Sequence, residues 1–255
     1  MKVYGFGAED APIILLLPGT CCHWKSNFGA VIPLLADSFR VLCVSYDGFD
    51  ETEQTEFPTM IEETEKIEAH ILANCGGHIR AAYGCSLGGS FVGLMAARQK
   101  IHMDYGILGS SDLDQASPLA AKLQTNLLIP LIYPLIHDGK FKVEFMQKCL
   151  EEYARKMDDY VQAFIEMFGG ARPYVTKQSC KNHFYSDLVT PLSENIDVLG
   201  TEIHVFYALK MGGKYRTRYQ RHFAAPVIHE QDLQHEELLA CHPEQWAHLV
   251  KSIVL

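Results

Sequence analysis

Ala81-Ala82-Tyr83-Gly84-Cys85-Ser86-Leu87-Gly88-Gly89-Ser90-Phe91 is the stretch whose reading decides the fold. Small and apolar residues lead into Gly84-Cys85-Ser86-Leu87-Gly88, and an apolar, alanine-rich segment from Phe91 to Ala97 leads out. That order reads as a strand, a tight turn and a helix, with a serine at the apex. Such a serine must adopt a strained backbone conformation for its hydroxyl to stand clear of the sheet. Glycines two before and two after it let strand and helix meet without side-chain clash. The spacing G-x-S-x-G is that of a nucleophile elbow. The five letters alone are weakly specific, and the strand before and helix after give them weight. The competing reading is a plain glycine-rich turn holding a buried serine.

Working outward, short continuous apolar runs mark further strands buried on both faces of a parallel sheet. Pro12 to Leu17 is one, ended by Pro18-Gly19, and Arg40 to Ser45 is the next, ended by Tyr46-Asp47-Gly48. Phe28 to Leu35 reads as a helix. So does Thr59 to Asn74, with Ile61, Ile67, Ile71 and Leu72 facing inward and its glutamates in water. His78 to Cys85 is the strand before the elbow, and Tyr105 to Gly109 follows the elbow helix. Alternation then stops. Ser117–Leu128, Lys142–Met157, Tyr160–Phe168 and Cys180–Leu192 read as helices, with prolines at 130 and 134 expected to kink or end the first. Strands resume at Ile203–Ala208 and Pro226–Glu230, separated by a helix at Tyr215–His222 and followed by one at Gln245–Val254. The fold class is therefore α/β: a mostly parallel sheet of six visible strands with helices on both faces. Residues 1–112 and 196–255 form the core, and a helical cap is inserted over residues 113–195.

A chain of 255 residues, 48% hydrophobic, can bury one sizeable core. A formal charge of −9 argues against nucleic acid and against a polybasic membrane surface as partners, leaving a small-molecule substrate. Eight cysteines sit mostly inside apolar runs with no CxxC pair, as expected of reduced core thiols in a cytoplasmic protein. Met1 to Gly7 lacks the apolar region of a signal peptide, and no run approaches the roughly 20 apolar residues of a membrane span. Neither a metal nor a cofactor is expected. Cys21-Cys22-His23 are adjacent rather than spaced as a zinc site, and HExxH, Walker and dinucleotide-binding motifs are absent.

A serine hydroxyl is a poor nucleophile near neutral pH, so it needs a base within hydrogen-bond reach, and that base needs an orienting acid. Of 12 histidines, His235 stands in the loop between the last strand and the last helix, from which it can reach the carboxyl edge of the sheet. His229 falls inside a strand, His242 lies beyond His235, and His23 either binds substrate or is solvated. For the developing oxyanion, one donor is the N–H of Leu87 at the start of the elbow helix. The other comes from the loop after the first strand, where Thr20 is the first choice and Cys21 the next. Trp24 and Phe28 near that loop either line a pocket or are core. Leu127 to Ile136, ten apolar or proline residues in a row, either roof an acyl pocket, touch a membrane or partner, or form cap core. Lys210, Lys214, Arg216, Arg218 and Arg221 are a solvated face or a seat for an anionic substrate group.

On these residues the chain resembles the α/β-hydrolases over nearly its whole length, and within them the small capped bacterial hydrolases. Pro18-Gly19 stands where many members carry His-Gly, Asp47-Gly48 follows the second strand, Gly84 to Gly88 is the elbow and His235 the base. The resemblance implies a sheet of about eight strands or slightly fewer, a cap over the pocket, and hydrolysis of esters, lactones or amides through an acyl-serine. It also exposes a departure. The family's usual acid position, after the strand that follows the cap, is occupied here by Met211, assigned to substrate binding. No carboxylate occurs from Ile203 to His229. Some members carry the acid one strand earlier, which points to Asp112, with Asp114 and Asp232 as fallbacks. The expected activity is an esterase acting on a small or medium apolar acyl group, with Ser86, His235 and Asp112 as the triad. The alternatives are a receptor-like ligand-binding protein on the same scaffold, a C–C bond hydrolase or an acyltransferase.

Overall fold

Parallel strands covered on both faces dominate the chain, as the continuous apolar runs require. The computed structural model describes residues 1–157, 159–172 and 174–255. Its strands are β1 (Lys2–Phe6), β2 (Ile13–Leu17), β3 (Arg40–Ser45), β4 (His78–Gly84), β5 (His102–Leu108), β6 (Glu202–Ala208) and β7 (Val227–Gln231). They form one seven-stranded sheet in the order β1-β3-β2-β4-β5-β6-β7, parallel throughout except for β1 against β3. Alternation along β2 shows why such runs carry no polar face. Ile14 and Leu16 pack with Val41, Tyr83 and Trp246 on one side, and Leu15 and Leu17 with Val44, Ile67 and Phe91 on the other.

β1 is the strand that the sequence reading lacks. It is an edge strand with a half-buried face and a glycine in the middle, so it has no apolar run to announce it. The expected helix at Phe28–Leu35 is two short ones, α1 (Trp24–Phe28) and α2 (Ile32–Ala36). Gly29 caps the first and Pro33 sits in the opening turn of the second, where its missing N–H costs nothing. Flanking the centre of the sheet are α3 (Met60–Asn74) and α4 (Gly88–Arg98). α3 corrects two expectations. Leu72 is exposed, and not all its glutamates are in water. Glu63 is buried, accepting from the Asp47 N–H at 2.8 Å, and Glu68 is buried against Arg98 at 2.9 Å.

Between β5 and β6 come α5 (Pro118–Asp138), α6 (Glu144–Ala154), α7 (Tyr160–Glu166) and α8 (Lys177–Val189). α5 does not end at Pro130 or Pro134 but runs through both. Burial of Ile129, Pro134, Leu135 and Ile136, and the Tyr133 hydroxyl donating to Val175 O at 3.0 Å, offset the hydrogen bonds the prolines forgo. By length and composition α5 is also apolar enough to cross a bilayer, contrary to the sequence expectation. The chain closes with α9 (Lys214–His222), α10 (Glu237–Cys241) and α11 (Pro243–Val254).

Candidate active site

The elbow forms where β4 hands over to α4. Ser86 has φ of 50°, in the left-handed region that a non-glycine residue occupies only under constraint. Gly84 and Gly88 are dictated by space: a Cβ on Gly84 would lie 2.1 Å from the Gly88 backbone, and one on Gly88 2.2 Å from Leu17 O. Strand and helix touch there, so no side chain fits.

His235 meets the serine. Its Nε2 lies 3.0 Å from Ser86 Oγ, hydrogen-bond distance for a base. The loop that carries it is held from above by the Tyr160 hydroxyl of α7, which donates to His235 O at 3.0 Å. The rival histidines are engaged elsewhere. His229 pairs with His204 at 2.9 Å within the sheet. Buried His23 caps α1, accepting from Lys25 N–H, and pairs with Glu51. His242 flanks the start of α11.

Thr20 lines the cavity over Ser86, and Leu87 stands at the amino end of α4. Among the described residues, neither backbone N–H donates to another group of the protein, which leaves both available. The Cys21 N–H is committed to His183 Nδ1 at 3.1 Å. Cys22 and Cys85 share the cavity, but burial pushes the Cys22 thiol up to about 12 and Cys85 well above its usual value. Both are protonated, so neither competes with Ser86 as nucleophile.

Asp112 follows β5. Its carboxyl is pushed above the usual carboxylate range, first by burial and then by repulsion from Asp114, while the charges of His235 and Arg218 pull the other way. It accepts the Asp114 N–H at 3.3 Å, and among the described residues no carboxylate accepts a hydrogen bond from His235 Nδ1. Asp112 therefore lies within electrostatic reach of the imidazole without a direct bond. Its backbone is fixed from α9, where the Arg218 guanidinium donates to Asp112 O at 2.7 Å and pairs with Asp114. Asp232 is exposed. Met211 lies in a 3₁₀ turn after β6 and does not line the cavity. Trp24 does not line it either: it is buried against Tyr4, ring centroids 4.8 Å apart, and Phe28 lies in the same core. The arginines of the basic cluster are likewise turned to other work, Arg216 pairing with Glu230 and Arg221 with Glu194.

A residue the sequence reading passed over sits beside the histidine. Glu236 is only 3% exposed, with φ of 56°. Its Oε1 accepts the N–H of Ser86 at 2.6 Å and of Ser110 at 2.8 Å, and its Oε2 accepts the Tyr83 hydroxyl at 3.2 Å. One carboxylate thus ties together the carboxyl ends of β4 and β5. The run His235-Glu236-Glu237 reads as a solvated helix start, and no local pattern separates the buried Glu236 from the half-buried Glu237.

The cavity above Ser86 has a volume of about 180 Å³. Its walls come from the helices between β5 and β6: Ile132 and Ile136 of α5, Phe164 of α7, Met167 and Phe168 just after it, and Phe184 of α8. Leu127, Leu128 and Leu131 of the same apolar run point to solvent, so the run divides between lining the cavity and facing outward. Among the described residues, metal-ligating side chains converge in one group of three, His78, His102 and Asp104, at the opposite end of the sheet.

A sheet of this order, flanked by helices, has known counterparts. The fold is that of the α/β-hydrolases. An α/β-hydrolase family protein from Desulfitobacterium hafniense superposes with a TM-score of 0.82 at 18% identity, covering 100% of each chain. The enol-lactonase from Burkholderia xenovorans LB400 gives 0.68 at 17% identity over 99% of this chain and 94% of its own. A thermophilic esterase from Thermogutta terrifontis gives 0.71 at 15% identity over 99% and 92%. No protein-family model and no curated protein matches the sequence.

Proposed function

We propose that the protein is a serine hydrolase cleaving carboxylic esters or lactones with a small or medium apolar acyl group. The observation that carries this reading is the 3.0 Å approach of His235 Nε2 to Ser86 Oγ on the wall of an apolar cavity. Ser86 gives its proton to His235 as Oγ bonds to the acyl carbon, and the carbonyl oxygen, now negative, accepts from the N–H groups of Leu87 and Thr20. Collapse of that intermediate breaks the bond to the leaving oxygen, which takes the proton from His235. Water repeats the sequence on the acyl-serine, and the acid is released with Ser86 restored. Asp112 stabilises the imidazolium by charge across the gap between them. The helices at residues 113–195 act as the cap. Among the described residues no lysine or arginine lines the cavity, and its one carboxylate, Glu236, is bound to backbone, which argues against an anionic acyl group. An apolar cavity of about 150 Å³ holds benzene, so the acyl chain that fits is of about that bulk. Eight unpaired thiols suit a reducing, cytoplasmic setting.

Among the described residues His235 Nδ1 has no hydrogen-bond partner, which favours a second reading, a ligand-binding protein with weak turnover. One experiment separates the two. A fluorophosphonate probe labels the wild type and not Ser86→Ala, and p-nitrophenyl butyrate turnover disappears in His235→Ala with the circular dichroism spectrum unchanged. Folded wild-type protein that neither labels nor turns over is the binding protein, and the enzyme reading fails.

A further inference from the structure

His78 opens β4 and His102 opens β5, and the parallel register sets them directly opposite one another. Asp104 lies two residues beyond His102, hence on the same face. The imidazole centroids are 5.4 Å apart and nearly parallel. Both rings direct Nε2 at one oxygen: His78 Nε2 is 2.8 Å and His102 Nε2 3.3 Å from Asp104 Oδ1, and all three donor atoms lie within 4.8 Å of one another. Zinc held tetrahedrally at about 2.0–2.2 Å from each ligand sets its donors about 3.3–3.5 Å apart. The observed spacings bracket that value, so side-chain rotation alone closes the site.

The surroundings are built to match. Arg80 holds the other oxygen, Oδ2, at 2.9 Å and is itself anchored to Val254 O at 3.0 Å. The carboxylate is thereby oriented with Oδ1 toward the imidazoles, as a supporting residue orients a metal ligand. Gly200 approaches from outside the sheet: a Cβ there would lie 3.3 Å from His102 Cε1 and 3.6 Å from its Nε2. The glycine keeps the space beside that nitrogen open. Side-chain exposures of 54%, 41% and 25% for His78, His102 and Asp104 give an ion free access.

We propose that His78, His102 and Asp104 bind one divalent transition-metal ion, with water completing its coordination. Two imidazole nitrogens and one carboxylate oxygen are a borderline donor set that suits zinc, copper or nickel and rejects magnesium and calcium. The site is at the amino end of β4, about 20 Å from the elbow at its other end, by the rise of a strand. It therefore fastens the two central strands together and takes no part in chemistry at Ser86. In sequence the two histidines are 24 residues apart, and only strand pairing brings them together.

The test uses metal-free full-length protein carrying Cys149→Ser, which removes the exposed thiol. Calorimetric titration with zinc chloride gives one ion per chain. The melting temperature rises by about 5–10 °C when free zinc is a hundredfold above Kd. His78→Gln, His102→Gln and Asp104→Asn each weaken binding about tenfold or more, while their melting temperatures in EDTA stay close to that of the parent. Magnesium and calcium shift nothing, and His78→Gln leaves ester turnover unchanged. Cobalt(II) gives weak d–d absorption without a thiolate-to-metal band. Absence of saturable binding at micromolar to sub-millimolar zinc, undiminished affinity in the variants, or a thiolate band in the cobalt spectrum each overturns the proposal.

Discussion

Replacing Glu236 by alanine removes the acceptor for two backbone donors at once, the half-buried Ser86 N–H at 2.6 Å and the buried Ser110 N–H at 2.8 Å. The residue is 3% exposed but lines the cavity, so water entering from there offsets part of the loss. Each orphaned donor costs about 1–3 kcal/mol, which sets the loss for Glu236→Ala at about 2–6 kcal/mol. Glu236→Gln keeps an oxygen where Oε1 stands and loses only the charge, at about 1–3 kcal/mol. Urea unfolding of the three proteins at constant pH reads these differences through the midpoint, provided the slope is unchanged. Activity adds a second readout. Ser86 is held in its left-handed conformation partly through this bond, and displacement of a catalytic group by about 1 Å can cost a hundredfold. In Glu236→Ala kcat falls by about that factor while the Ser86 hydroxyl remains chemically intact. An alanine variant within about 0.5 kcal/mol of wild type, the range of ordinary surface changes, with unaltered kcat, refutes the assignment of Glu236 as the tie between β4 and β5.

Asp112→Asn lowers kcat for p-nitrophenyl butyrate by about 10²–10⁴ with little effect on the melting temperature, and an unaffected rate removes Asp112 from the imidazole's support. His183 supplies a pH test of stability. Burial holds its imidazole down at about 3, against about 6.5 when unfolded. Between those values the unfolded chain binds a proton that the folded one does not, so stability falls as pH drops through that window, by about 1.4 kcal/mol per pH unit. His183→Gln, whose amide oxygen can accept the Cys21 N–H, loses that component, and equal urea midpoints versus pH for both proteins contradict it. Ile132→Phe narrows the cavity: kcat/KM for hexanoate falls about tenfold or more relative to acetate, and an unchanged ratio moves the acyl site elsewhere.

The elbow was legible because backbone geometry leaves few residue choices there. Glycine is forced at 84 and 88 by contact with Leu17 and with each other's backbone, and such constraints write themselves into sequence. Buried strands were legible for a similar reason, since both faces of β2 and β3 and the carboxyl halves of β4 to β6 are buried almost throughout. β1 was not, because a half-covered edge strand makes no such demand. The sequence predicts an end to α5 that the fold does not make, because proline's local penalty is visible in the letters and the burial that offsets it is not. His235 could be found from its place between strand and helix. Glu236 could not, since a buried glutamate next to a half-buried one looks the same in letters. Asp112 remains intermediate: its position after β5 is legible, but its distance from the imidazole depends on how α9 seats Arg218.

The Ser86–Glu236 bond spans 150 residues of chain. Both partners sit in the left-handed region, which costs on the order of 1–3 kcal/mol each unless the surroundings enforce it. During synthesis at about 5–20 residues per second, the serine leaves the ribosome roughly 8–30 s before the glutamate. Throughout that interval the elbow lacks both the base and the acceptor that hold its backbone. The Ser86–His235–Glu236 cluster is therefore assembled last, when the carboxyl-terminal segment docks, and under the proposed hydrolase reading a nascent or prematurely ended chain carries the serine without its partner histidine.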